Sequence, residues 1–337
     1  MKAIKNRDMI TTTMPAEAIQ SILTAAQRVL VVSHIDPDGD ALGTQLACGE
    51  YLRSLGKQVY MVRDSEIPAK YAFLPQIDEI RQTSALPPGF KIDTAVVLEC
   101  PTIERIGSAA AYMIEGVRIV NIDHHRDNSA FGEINWVDIR PSSVGEMAFE
   151  YFSAVGFDIT ESIAECLYTA MLTDTGRFRY ASTSQRTMEI AGTLIERGAD
   201  PHKITDKVYY DLRPSTMKLT GKVLNSVEFF CEGRVCVLSL TQEMLKQAHA
   251  VESESDGLVD FTLYTQGVRA GALVKELKDG RTKVSFRSQN GINVSDLAYI
   301  YGGGGHFNAA GCTIPKPFAE AKAEVKRMLC EADHALA

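Results

Sequence analysis

Between positions 34 and 40 the chain places one imidazole and three carboxylates, in the stretch SHIDPDGDAL (33–42), directly after the aliphatic run RVLVV. Carboxylates this dense repel one another unless water, protons or a cation intervenes. Three more groups of the same chemistry follow: Glu99, closing DTAVVLEC (93–100); Asp123, His124 and His125, closing VRIVNIDHH (117–125); and Asp174 in MLTDTGRF. Each has a plain explanation when taken alone. Asp38 or Asp40 could cap the helix that follows, and a histidine at a strand end is often just a hydrogen-bonded residue. Taken together, carboxylate and imidazole donors suit a hard or borderline divalent cation, Mn²⁺ first, with Mg²⁺ or Co²⁺ as alternatives. The lack of cysteine in these clusters argues against a structural zinc site.

Such groups can meet only if the backbone brings them to one place. RVLVVSH (28–34), QVYMVRD (58–64), DTAVVLEC and VRIVNIDHH are continuously apolar, β-branched runs, as in strands buried on both faces. Helical spacing follows at 41–56, 142–156, 162–176 and 184–198. Strands alternating with helices predict an α/β domain with a mostly parallel sheet over 1–198. Ligands bind such sheets at the carboxyl ends of the strands, where most of the candidate groups fall. Residues 199–215 read as a linker with helical content. Residues 216–337 read as a smaller α+β domain, with strand patterns in 225–240, 268–280 and 282–289 and a closing helix at 318–336.

The combination H-x-x-P-D-G-D-A, D-H-H and a later D-T-G resembles the DHH phosphoesterases, which share their metal site with RecJ nucleases and family II pyrophosphatases. YGGGGHFNAAG (301–311) resembles the glycine-rich motif of the DHH-associated C-terminal domain. The resemblance implies a two-cation centre. His34 and Asp38 would hold one ion, Asp40, His124 and Asp174 the other, and Glu99 would bridge them. His125 would contact the substrate phosphate, and Asp123 would orient a histidine ring. Asp36 sits where the family varies. The bridging residue is usually aspartate; glutamate carries its carboxylate about 1.5 Å further. That implies an adjusted spacing or one weaker ion.

The run GGGGH has a bland interpretation as a flexible turn. Its functional one is close approach of backbone N–H groups to an anion. The resemblance implies that Arg287, Ser288, Gly303, Gly304, Gly305 and His306 line a substrate cleft, with Arg287 and His306 anchoring a terminal phosphate. Arg177, Arg179 and Tyr180 are weaker candidates.

The formal net charge of −8 argues against coating long nucleic acid. The N-terminal stretch lacks a secretory core, and no run of about 20 apolar residues could cross a bilayer. Seven cysteines without a C-x-x-C pair predict free thiols in a reduced, cytoplasmic protein. The expected chemistry is phosphoester hydrolysis by metal-activated water, with no serine or cysteine nucleophile. By its two-domain length the chain resembles short family members that cut oligoribonucleotides to mononucleotides and convert 3′-phosphoadenosine 5′-phosphate (PAP) to AMP. Cyclic di-AMP or its linear product pApA as substrate, a pyrophosphatase or exopolyphosphatase, and a non-catalytic nucleotide binder remain as alternatives. A homodimer is the default assembly.

Overall fold

The computed structural model of the protein describes residues 10–87, 89–289 and 291–335. The chain divides into two compact units, Met1–Asp211 and Leu212–Ala337. No helix among the described residues is long and apolar enough to cross a membrane.

Among the described residues the first unit is built on seven strands: β1 (Ile10–Thr11), β2 (Arg28–Val32), β3 (Gln58–Arg63), β4 (Ile80–Gln82), β5 (Thr94–Leu98), β6 (Arg118–Asp123) and β7 (Ile134–Val137). They lie in the order β1-β7-β6-β5-β2-β3-β4, and every pairing is parallel. The expected parallel sheet is therefore borne out. Alternation along β2 explains its unbroken apolar run. Val29 and Val31 face a core shared with helices, while Leu30 and Val32 face a second core that includes Ile106 and Ala109 of a 3₁₀ stretch. The helices of this unit are α1 (Ala16–Ala25), α2 (Gly39–Ser54), α3 (Val144–Ala154), α4 (Glu161–Asp174), α5 (Gln185–Glu196) and the short α6 (Pro201–Thr205), which runs into a single π turn. From β2 the chain moves outward to β3 and β4, then returns to the other side of β2 as β5. That reversal is the topological switch point, where the strand ends splay into a crevice.

The second unit carries β8 (Glu228–Phe230), β9 (Val235–Leu240), β10 (Ala270–Glu276), β11 (Thr282–Ser288), β12 (Gly304–His306) and β13 (Ala309–Ile314), in the order β12-β13-β11-β10-β9-β8. Among the described residues only β9 and β10 pair in parallel; the other pairings are antiparallel. Its helices are α7 (Pro214–Leu224), α8 (Gln242–Ala248), α9 (Val294–Tyr299) and α10 (Phe318–His334). Ala270, Ala272 and Val274 pack in one core with Ala321, Val325 and Leu329 of α10. Leu273, pointing the other way, packs in another core with Leu219, Val223 and Leu245.

One expectation needs correction here. The thiols are not all free: Cys231, in the turn after β8, is bonded to Cys330 of α10 across 99 residues of sequence. The partner lies on the helix that covers the sheet, which no local spacing could reveal. The remaining five cysteines are free and buried. In the GGGGH run, Gly304 to His306 pair with Ala309 to Gly311 as an edge strand, which sets aside the flexible-turn alternative. A Cβ at Gly303 would sit 2.2 Å from the Gly311 carbonyl, and Gly305, at φ +139°, would clash with the Ala309 carbonyl. These glycines serve close backbone packing.

Candidate metal centre

Three adjacent strands end at the crevice. Leu98 is paired with Ile122 and Val32 with Val97. Continuing that register by one or two residues sets His34, Glu99 and Asp123 side by side. Glu99 N–H still donates to the Ile122 carbonyl at 3.0 Å, but its backbone turns left-handed, at φ +53°. A non-glycine residue held there costs roughly 1 kcal/mol or more and persists only where its surroundings fix it.

Asp38 does cap α2, accepting from the Ala41 N–H at 3.0 Å. Asp40, in the first turn, is fully buried. It accepts from the Val144 and Gly145 N–H groups at 2.7 and 2.8 Å and from the Thr44 hydroxyl at 3.0 Å. The amides at the start of α3 thus hold the carboxylate at its positive end. Asp174 arrives from the last position of α4. Its approach to Asp40 depends on glycines at positions 39, 43 and 145. A Cβ at Gly39 would lie 2.4 Å from Thr173 Oγ1, one at Gly43 2.3 Å from the Cys166 carbonyl, and one at Gly145 2.6 Å from Ala170 Cβ. Only glycine lets α2 and α3 lie this close to α4. The G-D-A-L-G spacing of Gly39 and Gly43 was the available signal.

The histidines are oriented from behind. His34 Nδ1 meets the Ile35 carbonyl at 2.7 Å and His124 Nδ1 the Pro141 carbonyl at 3.3 Å, which turns each Nε2 toward the centre. Asp123 accepts from His125 Nδ1 at 2.7 Å and from Asn128 Nδ2 at 2.6 Å. Asn128, which no pattern singled out, therefore fixes the carboxylate that fixes the ring.

At the centre, Glu99 Oε2 lies 2.7 Å from His34 Nε2, and Oε1 lies 3.4 Å from His124 Nε2. His124 Nε2 is also 3.4 Å from Asp174 Oδ2. One donor atom each from His34, Asp38 and Glu99 lie within 4.8 Å of one another, as do those of Asp40, His124 and Asp174. Glu99 thus reaches the histidine of each triad with a different oxygen, so the longer side chain still spans both.

Burial opposes charge on the imidazoles, yet Glu99 and other carboxylates push His34 up to about 9 and raise His124 and His125 as well. Burial and the Glu99 charge raise Asp40 to about 7. Asp174 is raised well above the carboxylate range, chiefly by burial. Glu99 is held well below that range: burial works against its charge, but His125 and His34 overcome it. The cluster attracts protons because it is rich in negative charge. The residues fit a divalent cation on one further observation. Glu99 Oε2 is buried among carboxylates and imidazoles, and the atom it faces is His34 Nε2 at 2.7 Å. A buried carboxylate oxygen set against an imidazole nitrogen is a donor pair that suits a shared divalent cation.

Within the second unit, Arg287 Nε donates to Asp260 Oδ1 at 2.8 Å. Ser288 is buried, and its hydroxyl donates to the Ile292 carbonyl at 2.6 Å. His306 ends β12, beside the strand pairing that Gly303, Gly304 and Gly305 permit. In the first unit, the Arg177 guanidinium stacks on the Tyr209 ring at 4.7 Å.

The family model described as "DHH family, N-terminal domain" matches residues 28–171, and the DHHA1 domain model matches 233–335. A Thermus thermophilus protein named bifunctional oligoribonuclease and PAP phosphatase NrnA is 34% identical over 287 residues, 85% of this chain and 84% of its own length. The chain belongs to the DHH phosphoesterase family. A Bacillus subtilis member with the same name is 28% identical over 89% of this chain and 93% of its own. Among solved structures, an exopolyphosphatase-related protein from Bacteroides fragilis superposes with a TM-score of 0.88 at 27% identity, over 95% of this chain and 96% of that one. The DHH signature coincides with Asp123, His124 and His125 at the end of β6.

Proposed function

We propose that this DHH-family chain is a metal-dependent phosphoesterase that cuts short oligoribonucleotides to mononucleotides and removes the 3′-phosphate of PAP to give AMP. The observation that carries this reading is the pair of ligand triads joined through Glu99 at the sheet's switch point. The names of the two relatives supply the substrate class.

His34, Asp38 and Glu99 would hold one cation, and Asp40, His124 and Asp174 the other, with Glu99 shared; Mn²⁺ suits this mixed imidazole and carboxylate set. Such a pair supplies an acidified water and Lewis-acid polarisation of a phosphoryl oxygen. The chain's own residues do the rest. The Ile35 and Pro141 carbonyls keep the His34 and His124 rings turned so that Nε2 is the donor. The α3 amides prevent Asp40 from swinging away. Asp123 holds a proton on His125 Nδ1, so Nε2 is the nitrogen that would meet a phosphoryl oxygen. Within the second unit, Arg287 and His306 would serve as cationic and hydrogen-bonding groups for a phosphate, with the Gly303–Gly305 backbone beside His306.

The exopolyphosphatase-related relative favours a second reading, hydrolysis of polyphosphate. Assaying short RNA, PAP, pApA, cyclic di-AMP, pyrophosphate and polyphosphate side by side with Mn²⁺ separates the two. The proposal expects the nucleotides to be preferred, with activity lost in Asp123→Ala plus His124→Ala. A clear preference for pyrophosphate or polyphosphate would overturn the substrate assignment.

A further inference from the structure

One short stretch, 141–146, touches two of the proposed ligands at once. The Pro141 carbonyl meets His124 Nδ1 at 3.3 Å, and the Val144 and Gly145 amides hold Asp40 at 2.7 and 2.8 Å. A rotation or slide of this stretch would therefore displace an imidazole from the end of β6 and a carboxylate from α2 together. Glu146 fixes it in place. Ser143 caps α3, and its hydroxyl accepts from the Glu146 N–H at 3.0 Å. In an ordinary capping box the glutamate would return to the N–H of the capping residue. Here it does something else. Oε2 of Glu146 accepts from the Ser142 N–H at 3.1 Å, the Ser142 hydroxyl at 2.6 Å and the Thr187 hydroxyl at 2.9 Å. Thr187 belongs to the first turn of α5, where its hydroxyl also accepts from the Ser184 N–H at 3.1 Å. Glu146 is only 5% exposed, so a buried carboxylate ties the ligand-holding stretch to a second helix.

We propose that Glu146 is a positioning residue for the metal centre, acting through the 141–145 backbone on Asp40 and His124 and not on the His34 and Asp38 side. The inference rests on the cation-pair reading above. Removing the carboxylate leaves three donors without their common acceptor and frees the stretch to shift. Outer hydrogen-bond partners of metal ligands typically change affinity by about 10–100-fold. That is the effect expected on the Asp40, His124 and Asp174 site.

The test is Mn²⁺ binding to the chelator-stripped full chain, followed by the paramagnetic resonance of free Mn²⁺. Glu146→Ala should weaken one of two sites by about tenfold or more, leaving the other nearly unchanged. Glu146→Gln, which keeps an acceptor oxygen, should recover much of the loss. Ser142→Ala, which keeps the carboxylate and removes one donor, should weaken the same site to a smaller degree; it carries the test if Glu146→Ala does not fold. Thr160→Ala is the control, because it removes the cap at the far end of α4 and should lower the melting temperature without changing either affinity. Unchanged affinities in Glu146→Ala and Ser142→Ala, or equal weakening in Thr160→Ala, would overturn the inference while leaving the cation pair intact. A wild-type chain that takes up no Mn²⁺ would remove the cation pair itself, and this inference with it.

Discussion

Glu99 Oε2 lies 2.7 Å from His34 Nε2, across the crevice where strand order reverses between β5 and β2. The other oxygen of the same carboxylate faces His124. One side chain therefore addresses both triads, and its left-handed backbone places it there. In the proposed cation pair the glutamate would be the shared ligand.

Shortening this residue should consequently do harm. Glu99→Asp withdraws the carboxylate by about 1.5 Å, so that it can no longer reach both histidines. We expect Mn²⁺ affinity and kcat/KM to fall by about 10–100-fold, and Glu99→Gln, which removes the charge, to fall further. Calorimetric titration and initial rates on short RNA check this. Wild-type affinity in Glu99→Asp would mean that the site is indifferent to length.

Proton linkage gives a second expectation. Without cations, His34 is raised from 6.5 to about 9 and Asp40 from 3.8 to about 7, so each binds its proton more tightly folded than unfolded. The sign is the same for both. Their contribution to stability is present at low pH, and it is lost between about 4 and 7 for Asp40 and between about 6.5 and 9 for His34. Cations must displace these protons. Mn²⁺ affinity should thus rise with pH up to about 9, and binding at pH 6.5 should release protons. Calorimetry in buffers of unlike ionisation enthalpy measures that release. Binding without proton release at pH 6.5 would contradict the arrangement.

Helix spacing yields a third. Gly43→Ala would put a Cβ 2.3 Å from the Cys166 carbonyl, forcing α2 from α4 at a cost of roughly 1–3 kcal/mol and separating Asp40 from Asp174. Gly192→Ala, in α5 with nothing within 4 Å, should stabilise by about 0.5–1 kcal/mol. Urea denaturation of both variants tests the contrast, and equal effects would mean that packing at Gly43 is unimportant.

Asp123→Asn tests ring orientation. It weakens the acceptor for His125 Nδ1 and disturbs the contact with Asn128. We expect kcat to drop by about 10–100-fold with a smaller change in Mn²⁺ affinity. Loss of both in equal measure would assign Asp123 a purely structural role.

Much of the proposed site could be read from sequence because most of its candidate ligands follow strands buried on both faces, whose apolar runs end abruptly in polar residues. Asp38 also showed its capping role in advance. The 141–146 stretch could not be read, since it acts through backbone amides and a carbonyl that any residue carries. Asn128 was missed for a similar reason: an asparagine after a strand carries no periodic signal. The Cys231–Cys330 bond could not be read either, because its second thiol comes from a helix 99 residues away with no local spacing to link the two. The glycine run was legible as permissive backbone, but whether it would form a loop or an edge strand depended on β13.

The most direct measurement is hydrolysis of a short RNA by chelator-stripped protein during Mn²⁺ titration. We expect no turnover without a divalent cation, recovery as about two Mn²⁺ bind per chain, and no recovery in a variant carrying His124→Ala with Asp174→Ala. Undiminished hydrolysis in excess chelator, or full Mn²⁺-dependent activity in that double variant, would contradict the cation-pair proposal.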